Sequence, residues 1–244
     1  MLSVLGFNTF VGDLDRATDA VLERARSGDG GYAILGNAHV LVTAQHDRDL
    51  SQAVRGAWSV FPDGAPVAWL QRRRGHAAAQ RIAGAELMLA VARAGAPAGL
   101  RHALFGGTPE TLVALERQLT AEVPDLRICA AVAPPFAPLA ELAAHADAIR
   151  LAGADIVWVA LGAPKQEIFM ARYGDRLGAL ALGVGAAFDF LSGSKTRAPH
   201  WMQRTGFEWA HRLATEPRRL AGRYLRTNSE FLVRAAVDLR RGRA

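Results

Sequence analysis

Three polar side chains follow apolar segments and have the chemistry to act together on a polar substrate. Asp63 lies in a Pro–Asp–Gly turn directly after the apolar run 57–61. Asn37 follows a second apolar run, 31–35, and Arg81 belongs to a third segment. A carboxylate can act as a general base, and an amide and a guanidinium can bind polar or anionic groups. An ordinary turn aspartate would have the same local sequence, so both interpretations of Asp63 stand at this point.

Two glycine-containing segments could contribute to an anion or nucleoside site. Gly106, Gly107 and Thr108 precede a predicted helix, where backbone N–H groups favour a negatively charged group such as phosphate. Phe188 and Asp189 follow the second segment and could hold a nucleoside with its base stacked on the phenyl ring; packing at a strand end explains them equally well. Neither segment has the spacing of a dinucleotide-binding fingerprint, so a Rossmann dehydrogenase is not expected.

Candidate metal ligands are weak throughout the sequence. Two Asp-x-Asp runs, at 13–15 and 47–49, lie where helices are predicted to begin, so helix capping explains them better than a metal pair. The seven histidines show no paired spacing with carboxylates, and the single cysteine, Cys129, lies in a predicted strand. We therefore expect no bound metal, no cofactor and a structural thiol. The sequence also has no Gly-x-Ser-x-Gly elbow and no kinase motif set.

Apolar runs alternate with segments of helical periodicity along most of the chain. The apolar runs predict strands at 31–35, 57–61, 102–106, 126–132, 154–162 and 178–185. The periodic segments predict helices at 13–25, 38–55, 64–74, 84–95, 109–121, 138–151 and 165–176. This alternation indicates an α/β fold in which a mostly parallel sheet is covered by helices on both faces, a Rossmann-like core.

The polar positions share one location in such a fold. Ligands of open α/β sheets bind at the carboxyl ends of the strands, where loops lead into helices. Asn37, Asp63, the turn at 106–108 and Gln166 each follow a predicted strand. We therefore expect these four positions to converge on one cleft, which unrelated turn residues would have no reason to do.

Positive charge is concentrated near the C-terminus. Residues 195–244 contain twelve lysines and arginines against four acidic residues, whereas residues 1–194 carry a formal net charge of −2. The C-terminal stretch has no strand pattern and predicts two or three helices, broken near Pro217. We therefore expect an α/β core at 1–194 and a basic helical appendage at 195–244. Such an appendage suits an anionic partner: a membrane surface, a phosphorylated substrate or a nucleic acid.

Three arginines of the appendage share one face of a predicted helix beside an apolar stripe. The arginines are Arg219, Arg223 and Arg226, and the stripe contains Leu220, Tyr224 and Phe231. This pattern suits a helix at the lipid headgroup layer, although a helix packed on the core with a charged outer face has the same pattern. The aromatic residues have helix-core spacing and form no stacking platform, which argues against nucleic acid.

The sequence contains no export or membrane-spanning signal. The N-terminal residues lack a basic leader and a long apolar core. No segment reaches the roughly 20 consecutive apolar residues of a spanning helix. These features predict a cytoplasmic protein.

A set of segments that spans most of the chain carries a family resemblance. The set comprises Asn37 and the segments 62–64, 81–88, 104–107, 161–167 and 183–219. Taken in order, these segments resemble the WecG/TagA/CpsF family of bacterial glycosyltransferases, glycosyltransferase family 26. The resemblance implies transfer of a sugar from a nucleotide donor, usually a UDP-sugar, to a saccharide on a polyprenyl-pyrophosphate carrier. It also implies inversion at the anomeric carbon and no requirement for a metal.

The resemblance also implies roles for individual residues. Asp63 matches the general base, Asn37 and Arg81 match residues that line the same pocket, and Gln166 matches a polar residue that faces the donor. One departure concerns Leu35, because the family often has Thr-Pro-Asn where this chain has Leu-Gly-Asn. The loss of the threonine hydroxyl bears on which donor or acceptor sugar is used.

The basic C-terminal stretch matches the family's appendage. Arg212, Arg219 and Arg223 lie in this match, and the appendage is thought to cover the active site and to contact the membrane and the diphosphate. The expected protein is thus a cytoplasmic glycosyltransferase of cell-surface or exopolysaccharide assembly, peripherally bound to the inner face of the plasma membrane. Its expected partners are a UDP-sugar and a lipid-linked saccharide, with no nucleic acid and with self-association left open. The alternative is a non-catalytic nucleotide-sugar-binding or membrane-adaptor protein.

Overall fold

A six-stranded parallel sheet forms the centre of the protein. The computed structural model describes residues 1–196, 198–199, 202, 213 and 217–241, and of residues 217–221, 223–225 and 241 it describes the helical backbone alone. The strands are β1 (Leu2–Val4), β2 (Phe7–Thr9), β3 (Tyr32–Gly36), β4 (Ser59–Pro62), β5 (Arg101–Gly106), β6 (Arg127–Val132), β7 (Ile156–Ala160) and β8 (Leu180–Gly183). Strands β3 to β8 form the sheet in the order β4-β3-β8-β7-β5-β6, and every neighbouring pair is parallel. Each overlaps one of the six predicted strands.

Helices connect the strands along the described part of the chain. They are α1 (Leu14–Ser27), α2 (Ala38–Thr43), α3 (Arg48–Gly56), α4 (Ala65–Arg73), α5 (Gly84–Gly95), α6 (Pro109–Glu122), α7 (Leu139–Ala152), α8 (Lys165–Leu177), α9 (Ala187–Leu191) and α10 (Pro217–Arg241). The predicted α/β class is confirmed, and α10 supplies a C-terminal helix beyond the core.

The sheet is buried on both faces, as its apolar strands predicted. Along β7, Val157 and Val159 belong to one hydrophobic core, whereas Ile156 and Trp158 belong to the other. The first core contains side chains of α2, α7 and α8, and the second contains side chains of α1, α5 and α6. Because successive side chains of a strand point to opposite faces, a strand covered on both sides has no polar face.

The C-terminal helix α10 packs on the core through an apolar face. Phe231 and Ala235 are fully buried, and the helix lies against α2 and α4. Two polar contacts flank this packing: His46 Nε2 lies 2.7 Å from the Glu230 carboxylate, and Arg74 pairs with Asp238 at 3.4 Å. The apolar stripe of this helix therefore packs on the core at Phe231. This agrees with the interpretation of the sequence as a helix packed on the core, and not with lipid contact at that residue.

Two local features differ from the expectation. The predicted helix 38–55 is divided into α2 and α3, because the Asp47 carboxylate accepts from the N–H of Leu50 at 3.0 Å and caps a new helix. Asp13 caps α1 in the same way, so the capping interpretation of both Asp-x-Asp runs is confirmed. The antiparallel pair β1 and β2 was not predicted, and its turn uses Leu5 and Gly6 with φ of 50° and 82°.

Candidate functional site

Asn37 and Asp63 lie side by side at the carboxyl ends of β3 and β4. The backbone N–H of Asp63 donates to the carbonyl oxygen of Gly36 at 3.2 Å, which joins the two strand ends. Asn37 is the N-cap of α2, where its side-chain oxygen accepts from the N–H of Val40 at 3.0 Å. Gly64 has a φ of 85°, and a Cβ there would lie 3.9 Å from the Cβ of Asn37. Both polar side chains are half-buried, so they border a common edge of the sheet.

Arg81 is held against the same edge by the backbone that precedes α5. The N–H of Ile82 donates to the carbonyl oxygen of Pro62 at 2.8 Å, so this segment runs beside the end of β4. The Arg81 guanidinium pairs with the Glu86 carboxylate at 3.1 Å, and the Arg81 side chain is 17% exposed. A guanidinium restrained by a carboxylate is preoriented for an anionic group, because fewer rotamers are lost on binding.

Leu35 marks the position at which this sequence departs from the resembled family. The side chain is buried, and its Cδ1 would lie 2.8 Å from a Cβ at Gly84. The same Cβ would lie 3.0 Å from the carbonyl oxygen of Val184, just beyond β8. Leu35 therefore packs beneath the close contact of three chain segments, a place where a threonine hydroxyl would need a hydrogen-bond partner.

Gln166 reaches the site from the first turn of α8. It is 5% exposed, and its amide lies against the end of β8: a Cβ at Gly183 would be 3.3 Å from Nε2, and one at Gly185 would be 3.6 Å from Oε1. Its Nε2 donates to the Glu167 carboxylate at 2.8 Å. The amide thus lies at the end of β8, below the surface of the site.

The glycine turn at 106–108 is built by the close approach of two strand ends. A Cβ at Gly106 would lie 2.3 Å from the carbonyl oxygen of Ala160, and the N–H of Gly107 donates to this oxygen at 3.3 Å. Thr108 caps α6 with its hydroxyl. Hydrogen bonds from its own backbone N–H and from Thr108 lower the pKa of the Glu110 carboxyl. The helix N-terminus therefore already faces a carboxylate, which weakens the case for phosphate at α6 itself.

Phe188 and Asp189 lie in α9, next to the glycine turn. The Phe188 ring is 1% exposed, and its Cδ2 would be 3.6 Å from a Cβ at Gly107. The ring therefore packs in the core and has no free face for a base, which is the packing interpretation of the sequence. Asp189 is half-buried and pairs with Lys195 at 2.9 Å.

The predicted positions of the core thus meet at one edge of the sheet. Asn37, Asp63 and Arg81 form one group, and Gln166 and the glycine turn extend it along the strand ends. Of the predicted arginines, Arg212 lies outside the described residues, and Arg219 and Arg223 lie in α10, where only their backbone is described. Among the described residues, no group of three or more histidine, cysteine, aspartate or glutamate side chains is placed to share a metal ion.

Two charged neighbours of Gln166 were not singled out from the sequence. Glu167 is fully buried beside it, and a carboxylate directly after a buried strand and its loop is the signal that marks it. Lys165 donates to the carbonyl oxygen of Ala137 at 2.6 Å and lies 4.7 Å from the centre of the fully exposed Phe136 ring. In the sequence, the prolines near Phe136 indicate a rigid loop, and this signal could have drawn attention to its contact with Lys165.

A comparison with known families assigns this architecture. The model of the family described as "Glycosyl transferase WecG/TagA/CpsF family" matches residues 2–244. The match includes every strand and helix that contributes to the edge described above. It implies glycosyltransferase activity in the synthesis of cell-surface polymers. Since the match extends over essentially the whole chain, this protein belongs to the WecG/TagA/CpsF family of glycosyltransferases.

Proposed function

We propose that this glycosyltransferase moves a sugar from a UDP-sugar to a saccharide carried on polyprenyl pyrophosphate, with inversion and without a metal. The observation that carries the proposal is the grouping of Asp63, Asn37 and Arg81 at the carboxyl ends of β3 and β4. A direct displacement at an anomeric carbon needs a base for the acceptor hydroxyl and a group that stabilises the departing diphosphate, and a carboxylate and a guanidinium can supply them. The family match supports the transfer of a sugar.

Asp63 acts as the general base in the proposed reaction. Its carboxylate accepts the proton of the acceptor hydroxyl while the hydroxyl oxygen forms a bond to the anomeric carbon. The bond from this carbon to the diphosphate oxygen breaks, and UDP leaves with the electron pair. Attack on the face opposite to the leaving group inverts the configuration of the anomeric carbon.

Negative charge that develops on the departing UDP is met by guanidinium groups. Arg81 supplies one from the core, and we assign Arg212, Arg219 and Arg223 of the appendage to the same task. The turn at 106–108 and Asp189 border the nucleotide, the turn through its close backbone and Asp189 through its carboxylate. Because the appendage supplies several of these charges, its placement controls whether the site is complete.

Helix α10 supports peripheral contact with the inner face of the membrane. Three apolar residues on its outer side are exposed: Leu232 by 58%, Val233 by 66% and Val237 by 44%. Arg226 and Arg240 are exposed on the same helix, so the apolar surface is flanked by positive charge. Such a surface suits insertion at an anionic lipid headgroup layer. No helix in the described part of the chain combines the length and the apolar character needed to cross a bilayer.

Replacing both Leu232 and Val233 by serine is expected to weaken binding to vesicles that contain anionic phospholipid by about thirtyfold, because roughly 2 kcal/mol of apolar burial is lost. Co-sedimentation with vesicles of phosphatidylglycerol and phosphatidylcholine measures the change. Val113→Ser is the matched control, since Val113 is an equally exposed valine on α6, 70% exposed. Equal loss in both variants, or no loss in the double variant, would remove α10 as the membrane contact.

Release of UDP from a panel of UDP-sugars tests the proposed function. The acceptor is a short polyprenyl-pyrophosphate monosaccharide, and each reaction is run with and without EDTA. Acceptor-dependent release with one donor is the expected result, and it would identify the sugar. Measurable UDP binding without release from any donor would instead support a non-catalytic nucleotide-sugar-binding protein. Release that EDTA abolishes would contradict a metal-independent reaction.

A further inference from the structure

Glu167 is a fully buried carboxylate with one side-chain hydrogen-bond partner in the described part of the chain. Its Oε1 accepts from Gln166 Nε2 at 2.8 Å, and its Oε2 has no partner among the described residues. A buried carboxylate that is so sparsely satisfied is costly to the fold, so it calls for a local reason. Burial raises the pKa of the Glu167 carboxyl, and the Gln166 hydrogen bond opposes this change.

The Glu167 carboxylate fixes the orientation of the Gln166 amide. Glu167 Oε1 accepts from the NH₂ group of Gln166, so the amide oxygen points away from the Glu167 side chain. The amide also lies against two glycines: a Cβ at Gly183 would be 3.3 Å from Nε2, and a Cβ at Gly185 would be 3.6 Å from Oε1. Gln166 Oε1 is buried and, within the described residues, accepts no hydrogen bond. Glu167 and the two glycines thus hold Gln166 Oε1 at the end of β8, where no described residue donates to it.

We propose that Glu167 is a positioning residue that orients the Gln166 amide so that Oε1 accepts a hydrogen bond from an N–H or O–H group of the nucleotide sugar. This inference rests on the proposed donor site and deepens it. The oxygen is covered in this structure, so the contact requires a local shift at Gly185, which follows β8 and has no side chain to repack.

Such a donor group belongs either to the nucleoside, as the uracil N–H or a ribose hydroxyl, or to the transferred sugar, as one of its hydroxyls. Both offer a hydrogen-bond donor to an amide oxygen, and they differ in whether UDP alone contains the group. Titration with UDP and with UDP-glucose therefore separates them. If Gln166→Ala weakens the two ligands equally, the contact is to the nucleotide; if it weakens UDP-glucose alone, the contact is to the sugar.

A double-mutant cycle between Gln166→Ala and Glu167→Gln tests the positioning role. Glutamine keeps the shape of the side chain but can present either an oxygen or an NH₂ group, so it no longer selects one orientation of the Gln166 amide. We expect Glu167→Gln to weaken UDP-glucose binding by about fivefold to tenfold in the wild-type background. In the Gln166→Ala background, the same substitution should have no further effect.

Controls separate positioning from folding and from a change of charge. Glu116→Gln makes the same substitution on the exposed surface of α6 and should leave affinity unchanged. Thermal unfolding of each variant shows whether the fold persists. An unchanged affinity in Glu167→Gln, or an equal loss in both backgrounds, would overturn the positioning role.

The outcome also distinguishes this inference from the proposed function. If the double-mutant cycle shows coupling between Gln166 and Glu167 in ligand binding, and turnover does not depend on Asp63, the positioning role holds and the proposed base is wrong. Turnover that depends on Asp63, without coupling, would keep the function and reject the positioning role. If neither UDP nor UDP-glucose binds, the donor site and the positioning role are both wrong.

Discussion

Asp63→Asn is expected to lower the rate of sugar transfer by about 10²–10⁴-fold and to leave the affinity for UDP nearly unchanged. Asparagine preserves the size of the side chain and the backbone bond from residue 63 to the Gly36 carbonyl oxygen. It cannot take a proton from an acceptor hydroxyl, so only the chemical step is affected. Single-turnover transfer and calorimetric titration with UDP measure the two quantities separately.

Asp47→Asn is the matched control for this experiment. Asp47 caps α3 through the N–H of Leu50, and asparagine caps helices about as well as aspartate, so this variant should transfer sugar at the wild-type rate. Equal rates in wild type and Asp63→Asn would mean that another group is the base. A non-catalytic binding protein would show UDP affinity in all three proteins and transfer in none.

The parallel sheet and its functional edge follow from local sequence patterns. The strands that precede Asn37, Asp63 and Gln166 are short apolar runs, and the carboxyl ends of parallel strands meet at one edge by geometry alone. The position of Arg81 could not be derived in this way. Its segment reaches the site through one hydrogen bond to Pro62 and one close contact at Gly84, which involve residues far apart in sequence.

Other features depend on interactions that a local pattern does not contain. The turn of the β1–β2 pair uses Leu5 at a positive φ, whereas the residues that usually signal such turns are asparagine and glycine. The apolar stripe near Phe231 could face lipid or core, and only the packing of α10 on α2 decides between them. Phe188 is similar, since an aromatic residue after a strand can be a stacking surface or part of the core.

Folding is expected to become less favourable by about 3 kcal/mol as the pH falls from 6.5 to about 4, through His102 alone. His102 is 1% exposed, and its Nδ1 accepts from the Trp158 indole N–H at 3.0 Å. Burial lowers the pKa of His102 from 6.5 to about 4, and the Asp155 carboxylate acts weakly in the opposite direction. The unfolded chain therefore binds a proton near pH 6.5, whereas the folded protein does so only near pH 4. The stabilisation is complete above pH 6.5 and is lost below it.

Urea unfolding of wild type and His102→Asn across this range isolates the effect. Asparagine keeps an oxygen that can accept from Trp158, and it does not titrate, so the free energy of unfolding of the variant should fall less steeply below pH 6.5. The comparison between variants is needed because Glu167 acts in the opposite sense: burial raises the pKa of its carboxyl, so its contribution is lost as the pH rises above 4.5. Parallel pH curves for the two proteins would show that His102 is protonated in the folded state as easily as in the unfolded chain, and that its burial with Trp158 does not exclude the charged ring.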